Sequence, residues 1–308
     1  MVAVLLASFA SSSATVLQVV ALGKLVYDMT GRQLDLGLLG LAEFLPTAAL
    51  VLVTGSVADR FDRRKIGAAA LIIEALCAVG LAAYANTSPT AIWPIFAIVL
   101  IFGSARGFAA PALRALAPSV APPGTLSRMV AFSSISWQAA SIVGPVIAGF
   151  LYAVRPMASF VAAAVFLLAG ATGMAFVRVS ASSRSATQAA RAEKPTIRTA
   201  LEGLHLVRRS PVLFAAISLD LFAVLFGGAV ALLPAIAKDR LGVGAVGLGW
   251  LRAAGGMGAA AVALALAVRP LQRRVGSAFW SWSGYSVSPR CCSVLPPASC
   301  WPCWPWRC

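Results

Sequence analysis

Apolar residues run along this chain in eight stretches, each about the length of a membrane span, with short polar segments between most of them. A helix needs roughly 20 mostly apolar residues to cross about 30 Å of hydrocarbon, and only helices or closed barrels satisfy their backbone hydrogen bonds there. The pattern therefore predicts an all-α polytopic membrane protein in a lipid bilayer. The predicted spans are residues 3–26, 36–57, 67–86, 91–112, 129–152, 156–178, 212–236 and 246–268.

One polar segment is much longer than the others and divides the spans into two sets. Residues 179–211 are rich in Ser, Ala, Arg and Thr. Apolar residues between positions 197 and 207 recur near helical spacing after Pro195, which predicts a short amphipathic helix along the membrane surface. We therefore expect a six-helix bundle over residues 1–178, a central loop, and two helices of a second bundle over residues 212–276. A duplication of six helices is a common plan among transporters.

The composition changes abruptly after Gly276. Residues 277–308 contain five of the eight Trp, five of the six Cys, five Pro and no acidic residue. The cysteines have no His partner, and the spacing of Cys300 and Cys303 alone is a weak signal of metal or redox chemistry. We interpret this tail as aberrant, out-of-frame translation of a GC-rich gene. On that interpretation the second bundle is truncated.

The charge of the chain serves mainly as an orientation signal. Hydrophobic residues make up 60% of the chain and charged residues 11%, whereas soluble domains carry about 25% charged residues. The formal net charge is +15, yet no basic run alternates with aromatics as a nucleic-acid groove requires. With a cytoplasmic N-terminus, sixteen Lys and Arg fall in cytoplasmic loops and four in the opposite loops. This asymmetry predicts that orientation.

Charged residues inside predicted spans are costly to bury and are usually functional, and four of them are our candidates. They are Glu43, Arg106, Asp220 and Arg252. Burial disfavours the charged form of a carboxyl group, so a buried acid can take up and release a proton. Glu43 and Asp220 are the candidates for proton coupling, and Arg106 for a counter-charge or a contact to a substrate anion. Alternatively, Asp220 and Arg252 form a structural ion pair, while Glu74 lies near a helix end or faces a neighbour.

The chemistry of an enzyme is not evident in this sequence. His205 is the only histidine and falls in the central loop. Without a second histidine or a convergent acid cluster, we expect no metal site, no cofactor and no hydrolytic centre. The chain also lacks the glycine-rich Lys-Ser/Thr loop that binds ATP.

The segment between the second and third predicted spans resembles the signature loop of the major facilitator superfamily. The resemblance rests on six positions and departs at residue 62, where Asp replaces the family's Gly. The positions are Gly55, Ala58, Asp59, Arg60, Arg63 and Arg64. It implies a cytoplasmic gate in which Asp59 pairs with an arginine and holds that side closed. The alternative is a merely basic loop that sets topology.

A second resemblance lies in the fifth predicted span. Residues 140–149 are similar to the antiporter motif of the same superfamily through Gly144, Pro145 and Gly149, with Ala in place of Gly at positions 140 and 148. Proline frees a backbone carbonyl and kinks a helix, while small residues permit close helix contact. The alternative is an ordinary Gly/Pro kink.

Three further stretches resemble the enterobactin-exporter-like and drug-efflux-like branch of the superfamily. They are residues 27–46, 106–112 and 219–234. The resemblance implies a bacterial cytoplasmic-membrane exporter that exchanges protons for small drug-like or siderophore-like molecules near the midplane of two half-bundles. The alternative is a transport-inactive, truncated remnant of such an exporter. The oligomeric state stays open.

Overall fold

The described part of the chain is built from long helices. A computed structural model describes residues 2–60, 63–87, 91–120, 125–175, 210, 214, 217–218 and 230–268, and over these ranges the regular structure is entirely helical. The predicted all-α fold is thereby confirmed. The long helices are α1 Val2–Thr30, α2 Gln33–Arg60, α3 Arg63–Asn86, α4 Trp93–Val120, α5 Leu126–Val154, α6 Pro156–Ala175 and α7 Ala245–Val268.

A short helical segment precedes α7. Residues Leu233–Ala235 are α-helical and Ile236–Arg240 continue as a π-helix, which together we call the 233–240 segment. The described residues up to 258 belong to one compact unit, and residues 259–268 of α7 belong to a second.

Six of these helices are long and apolar enough to cross a membrane, namely α1, α3, α4, α5, α6 and α7. The 28 residues of α2 also have the length for a span, and this helix carries Asp35 and Glu43. These seven helices overlap seven of the eight predicted spans. Most of the predicted span 212–236 lies outside the described residues, as do the central-loop helix, Asp220, His205 and the tail from residue 277.

Helix α1 is the most buried of the apolar helices and packs mainly against α5 and α6. Its alanine and leucine side chains, such as Ala14 and Leu17, form the main core with residues of α3, α5 and α6. The same helix also buries a polar stripe, because Ser11, Thr15 and Gln18 recur at helical spacing and are all at most 6% exposed. The Thr15 hydroxyl donates a hydrogen bond of 2.9 Å to the Ser11 carbonyl within the helix.

The turns between helices are explained by local backbone chemistry. Helix α1 ends at Thr30 and is followed by Gly31, whose φ of 63° is accessible to glycine and whose N–H donates to the Tyr27 carbonyl at 2.9 Å. Helices α5 and α6 are separated by Arg155 alone, in an extended conformation. Pro156 then opens α6 at a position where its missing N–H costs nothing.

Large apolar side chains cover much of the outer surface. Phe44, Leu76, Trp93 and Val165 are each at least 60% exposed on four different helices. Patches of this kind are unfavourable in water, whereas they match the hydrocarbon of a lipid bilayer. The surface therefore agrees with the membrane setting predicted from the hydropathy pattern.

Candidate functional site

Helices α2 and α4 approach each other closely beside a predicted site residue. A Cβ atom added to Gly103 of α4 would lie 2.5 Å from the carbonyl oxygen of Glu43. The Thr47 hydroxyl of α2 donates a hydrogen bond of 2.8 Å to the Gly103 carbonyl. Arg106 follows Gly103 by almost one helical turn, so the contact at Gly103 brings Arg106 near Glu43.

We expect Gly103→Ala to destabilise the protein, because the added methyl group meets backbone that cannot rotate away. The cost should be about 1–3 kcal/mol, as is typical of overpacking. Gly40→Ala on α2 is the matched control, since its Cβ would meet nothing within 4 Å. Thermal unfolding of both variants in detergent measures the difference, and equal melting temperatures would contradict the described contact.

Four charged side chains from four helices interact electrostatically, and we call them the interior charge cluster. They are Glu43 of α2, Glu74 of α3, Arg106 of α4 and Arg252 of α7. Glu43 interacts with both arginines, and Glu74 interacts with Arg106 and with Glu43. The structure therefore brings together three of the residues predicted from their position in spans. The cluster has two acids and two bases, so its formal charges balance.

Glu74 is the member that sequence reasoning did not assign to the site. It lies near the middle of α3, so of the two alternatives the position near a helix end is excluded and the one that faces neighbouring helices holds. Its side chain is only 1% exposed, and among the described residues its Oε1 atom has no hydrogen-bond partner. The available signal was the isolation of this acid within an apolar run of α3. Its neighbours become known only once α2 and α4 are packed beside α3.

The antiporter-like motif lies where α5 meets α7. A Cβ atom on Gly149 would lie 2.6 Å from the Ala245 carbonyl, and one on Gly249 would lie 2.5 Å from the Pro145 carbonyl. The Gln138 amide also donates a hydrogen bond of 2.6 Å to the Gly256 carbonyl. Small residues on both helices thus allow backbone to touch backbone, as is common between membrane helices.

Gly144 of the same motif faces another helix. Its added Cβ atom would lie 3.2 Å from Cβ of Val16 and 3.3 Å from the Ser13 carbonyl, both on α1. Pro145 lies within α5, where its ring removes one backbone hydrogen bond. The motif therefore joins α5 to α1 on one face and to α7 on the other.

The structure describes only part of the predicted cytoplasmic gate. Helix α2 ends at Arg60 and α3 begins at Arg63, so Asp59 and Arg60 occupy a helix end beside a two-residue connection. The side chains of residues 51–63, including Gly55, lie outside the described part, whereas Arg64 is partly buried in the first turn of α3. The gating role of these residues stays a prediction, as does coupling at Asp220. Among the described residues, no group of His, Cys, Asp and Glu could hold a metal ion.

Comparison with known proteins establishes the family. The sequence model of the family described as Major Facilitator Superfamily matches residues 4–302. The chain belongs to the Major Facilitator Superfamily. The match passes residue 276 and includes most of the segment that we interpret as an aberrant tail, and that interpretation stays a prediction.

This superfamily member is similar to several curated bacterial proteins. It is 27% identical to Macrolide efflux protein A of Streptococcus pyogenes over 215 residues, which are 69% of this chain and 52% of that protein. It is also 27% identical to Macrolide efflux protein A of Enterococcus faecalis over 207 residues, 67% of this chain and 62% of that protein. Identity to the uncharacterized MFS-type transporter YfiS of Bacillus subtilis is 26% over 238 residues, 75% of this chain and 55% of that protein. The chain thus spans between half and two thirds of the length of these relatives.

Proposed function

We propose that this chain acts in a secondary transporter that exports small drug-like molecules across a bacterial cytoplasmic membrane in exchange for protons. Membership of the superfamily supports a transporter, and the relatives named for macrolide efflux favour export. The observation that carries the proton-coupled form of the proposal is the interior charge cluster. Its carboxyl groups lie on α2 and α3, where a bound proton changes the balance of charge inside the protein.

The proposed orientation has the N-terminus in the cytoplasm. Sixteen basic residues then lie in cytoplasmic loops and four outside, as the positive-inside rule requires. In that orientation the end of α1 near Thr30 and the end of α5 near Val154 both reach the outer face, since α1 and α5 cross in the same direction.

The proposed mechanism uses the balanced charges of the cluster. Protonation of Glu43 or Glu74 removes one negative charge and leaves the arginines in excess, whereas release of the proton restores the balance. A substrate near the cluster competes for the same charges, so proton and substrate binding become linked. Arg252 of α7 interacts with Glu43, so movement of α7 would change the surroundings of Glu43.

Everted membrane vesicles test this proposal. We expect erythromycin, a macrolide probe, to raise the pH inside acidified vesicles that contain the full chain, because each imported drug molecule would be exchanged for protons. Glu43→Gln should reduce this response roughly tenfold, which corresponds to about 1.4 kcal/mol. Glu43→Asp is the matched control, because it keeps the carboxyl group. A pH-sensitive fluorophore measures the response.

The outcomes of this assay separate the two candidate functions. A wild-type chain that reaches the membrane but gives no response with erythromycin or with other amphiphilic drugs supports the transport-inactive remnant. A wild-type response that Glu43→Gln leaves unchanged removes Glu43 from the coupling mechanism while leaving export intact.

A further inference from the structure

A second group of charged and aromatic side chains lies at the end of α1, away from the interior charge cluster. We call it the Asp28 cluster. Its members come from α1, α5 and the 233–240 segment, and they are Lys24, Tyr27, Asp28, Tyr152, Lys238 and Asp239. Two lysines and two aspartates give it a balanced formal charge.

Consecutive residues on α1 pair with consecutive residues of the 233–240 segment. The Lys238 ammonium lies 3.3 Å from Asp28 Oδ1, and the Tyr27 hydroxyl donates a hydrogen bond to Asp239 Oδ2. Lys238 also lies 5.5 Å from the centre of the Tyr27 ring, within the range of a cation–π contact. Three polar contacts therefore join α1 to a segment more than two hundred residues away.

Apolar contacts fix the same junction. Tyr27 is 2% exposed and forms a small buried core with Leu36 and Ala235. A Cβ atom on Gly23 would lie 3.4 Å from Cγ of Pro234, an ordinary van der Waals contact. The π-helical turn at Ile236–Arg240 widens the helix and presents adjacent Lys238 and Asp239 to the same end of α1.

Asp28 has two lysine partners of different kinds. Lys24 precedes it by four residues on α1 and lies 2.6 Å from Oδ1 and 2.7 Å from Oδ2. Lys24 remains beside Asp28 when the 233–240 segment moves. Tyr152 of the neighbouring α5 also remains, and its hydroxyl lies 3.3 Å from Oδ2. Lys238, by contrast, is brought by the 233–240 segment and leaves with it.

We propose that the Asp28 cluster is a releasable closure at the outer face. The ion pair of Lys238 with Asp28 stabilises the closed state, and the ion pair of Lys24 with Asp28 lowers the free-energy cost of opening. This inference rests on the proposed transporter function, since an exporter must open outward. When the 233–240 segment moves away, Asp28 keeps the ion pair to Lys24 and is not left as an uncompensated charge. Without Lys24, opening would leave Asp28 with the Tyr152 hydroxyl alone, and the closed state would be favoured.

The two lysines therefore have opposite effects on opening, although both carry the same charge and contact the same carboxylate. Lys238→Gln should raise the ratio of open to closed protein roughly two- to fivefold, the size of one partly exposed ion pair. Lys24→Gln should lower that ratio by a similar factor. A cluster that merely stabilises the fold would respond in the same direction to both changes.

Spin-label distances between two exposed positions measure this ratio without any substrate or transport. The labels are placed at Arg32→Cys, after α1, and Arg240→Cys, at the end of the 233–240 segment. The full chain is used in lipid nanodiscs, with its six native cysteines replaced by alanine. Arg155→Gln is the control, because it removes a basic residue from the turn after α5 without touching the cluster.

The expected result is a larger long-distance fraction in Lys238→Gln, a smaller one in Lys24→Gln and no change in Arg155→Gln. The proposal is overturned if the long-distance fraction in Lys238→Gln does not exceed that of the wild type, or if both lysine variants shift the fraction in the same direction. Opening without drug-dependent proton exchange would refute the proposed function while leaving the closure intact.

Discussion

Replacing Arg106 by glutamine is expected to make the carboxyl group of Glu74 react several times faster with an apolar carbodiimide at about pH 9. Such reagents modify protonated carboxyl groups in apolar surroundings. Glu74 is 1% exposed near the middle of α3, and Arg106 is the cation that interacts with it. Because a nearby positive charge favours the carboxylate, its removal shifts Glu74 toward the protonated form. A tenfold change in labelling corresponds to about 1.4 kcal/mol.

Mass spectrometry of peptides from the labelled chain gives the measurement. Glu74→Gln should abolish the adduct on that peptide and should retain the fold, since the amide has nearly the shape of the acid. Arg155→Gln serves as the matched control, because it removes an arginine outside the interior charge cluster. Labelling of Glu74 that is unchanged in Arg106→Gln would show that Arg106 does not influence the protonation of Glu74, and labelling absent from the wild type at every pH would show that Glu74 does not present a protonated carboxyl group to the membrane.

The second large effect is expected from Gly249→Ala at the contact of α5 with α7. The added Cβ atom would lie 2.5 Å from the Pro145 carbonyl and 3.2 Å from the Gly149 Cα atom, so the two helices must separate. Overpacking of this kind costs about 1–3 kcal/mol. Arg252 lies three residues after Gly249 on α7, so the displacement should also weaken its interaction with Glu43.

Gly255→Ala on the same helix is the matched control, because its Cβ would meet nothing within 4 Å. In a helix interior, alanine is favoured over glycine by about 1 kcal/mol, so this control should be neutral or slightly stabilising. Thermal unfolding in detergent and drug-dependent proton exchange in vesicles report the two consequences. A Gly249→Ala protein as stable and as active as Gly255→Ala would show that α5 and α7 do not pack through these glycines.

Hydropathy predicted the helical fold because the hydrocarbon thickness fixes the length of a span. The same reasoning identified Glu43, Arg106 and Arg252, since charge in hydrocarbon needs a partner or a function. It did not identify their association, because α2, α3, α4 and α7 come together only through packing such as the Gly103 contact. For the same reason the sequence leaves Glu74 without an assigned partner.

The association of residues in the Asp28 cluster is even harder to predict from the sequence. Asp28 belongs to a stretch that resembles exporters, but no spacing in the sequence indicates that Lys238 and Asp239 lie beside it. Their approach depends on a π-helical turn and on a long-range contact, neither of which has a local signature. The glycines of α5 gave a partial signal, since they predicted close helix contact without naming α1 and α7 as the partners.

The burial of α1 has a consequence for how the protein is made. The ribosome finishes this helix at Thr30, yet its main neighbours, α5 and α6, begin only at Leu126 and Pro156. At about 5–20 residues per second, newly made α1 waits for several seconds or more before both arrive. Throughout that delay the amide of Gln18 and the hydroxyls of Ser11 and Thr15 would face acyl chains. We therefore expect α1 either to be retained beside the insertion machinery or to be sheltered temporarily by α2 to α4.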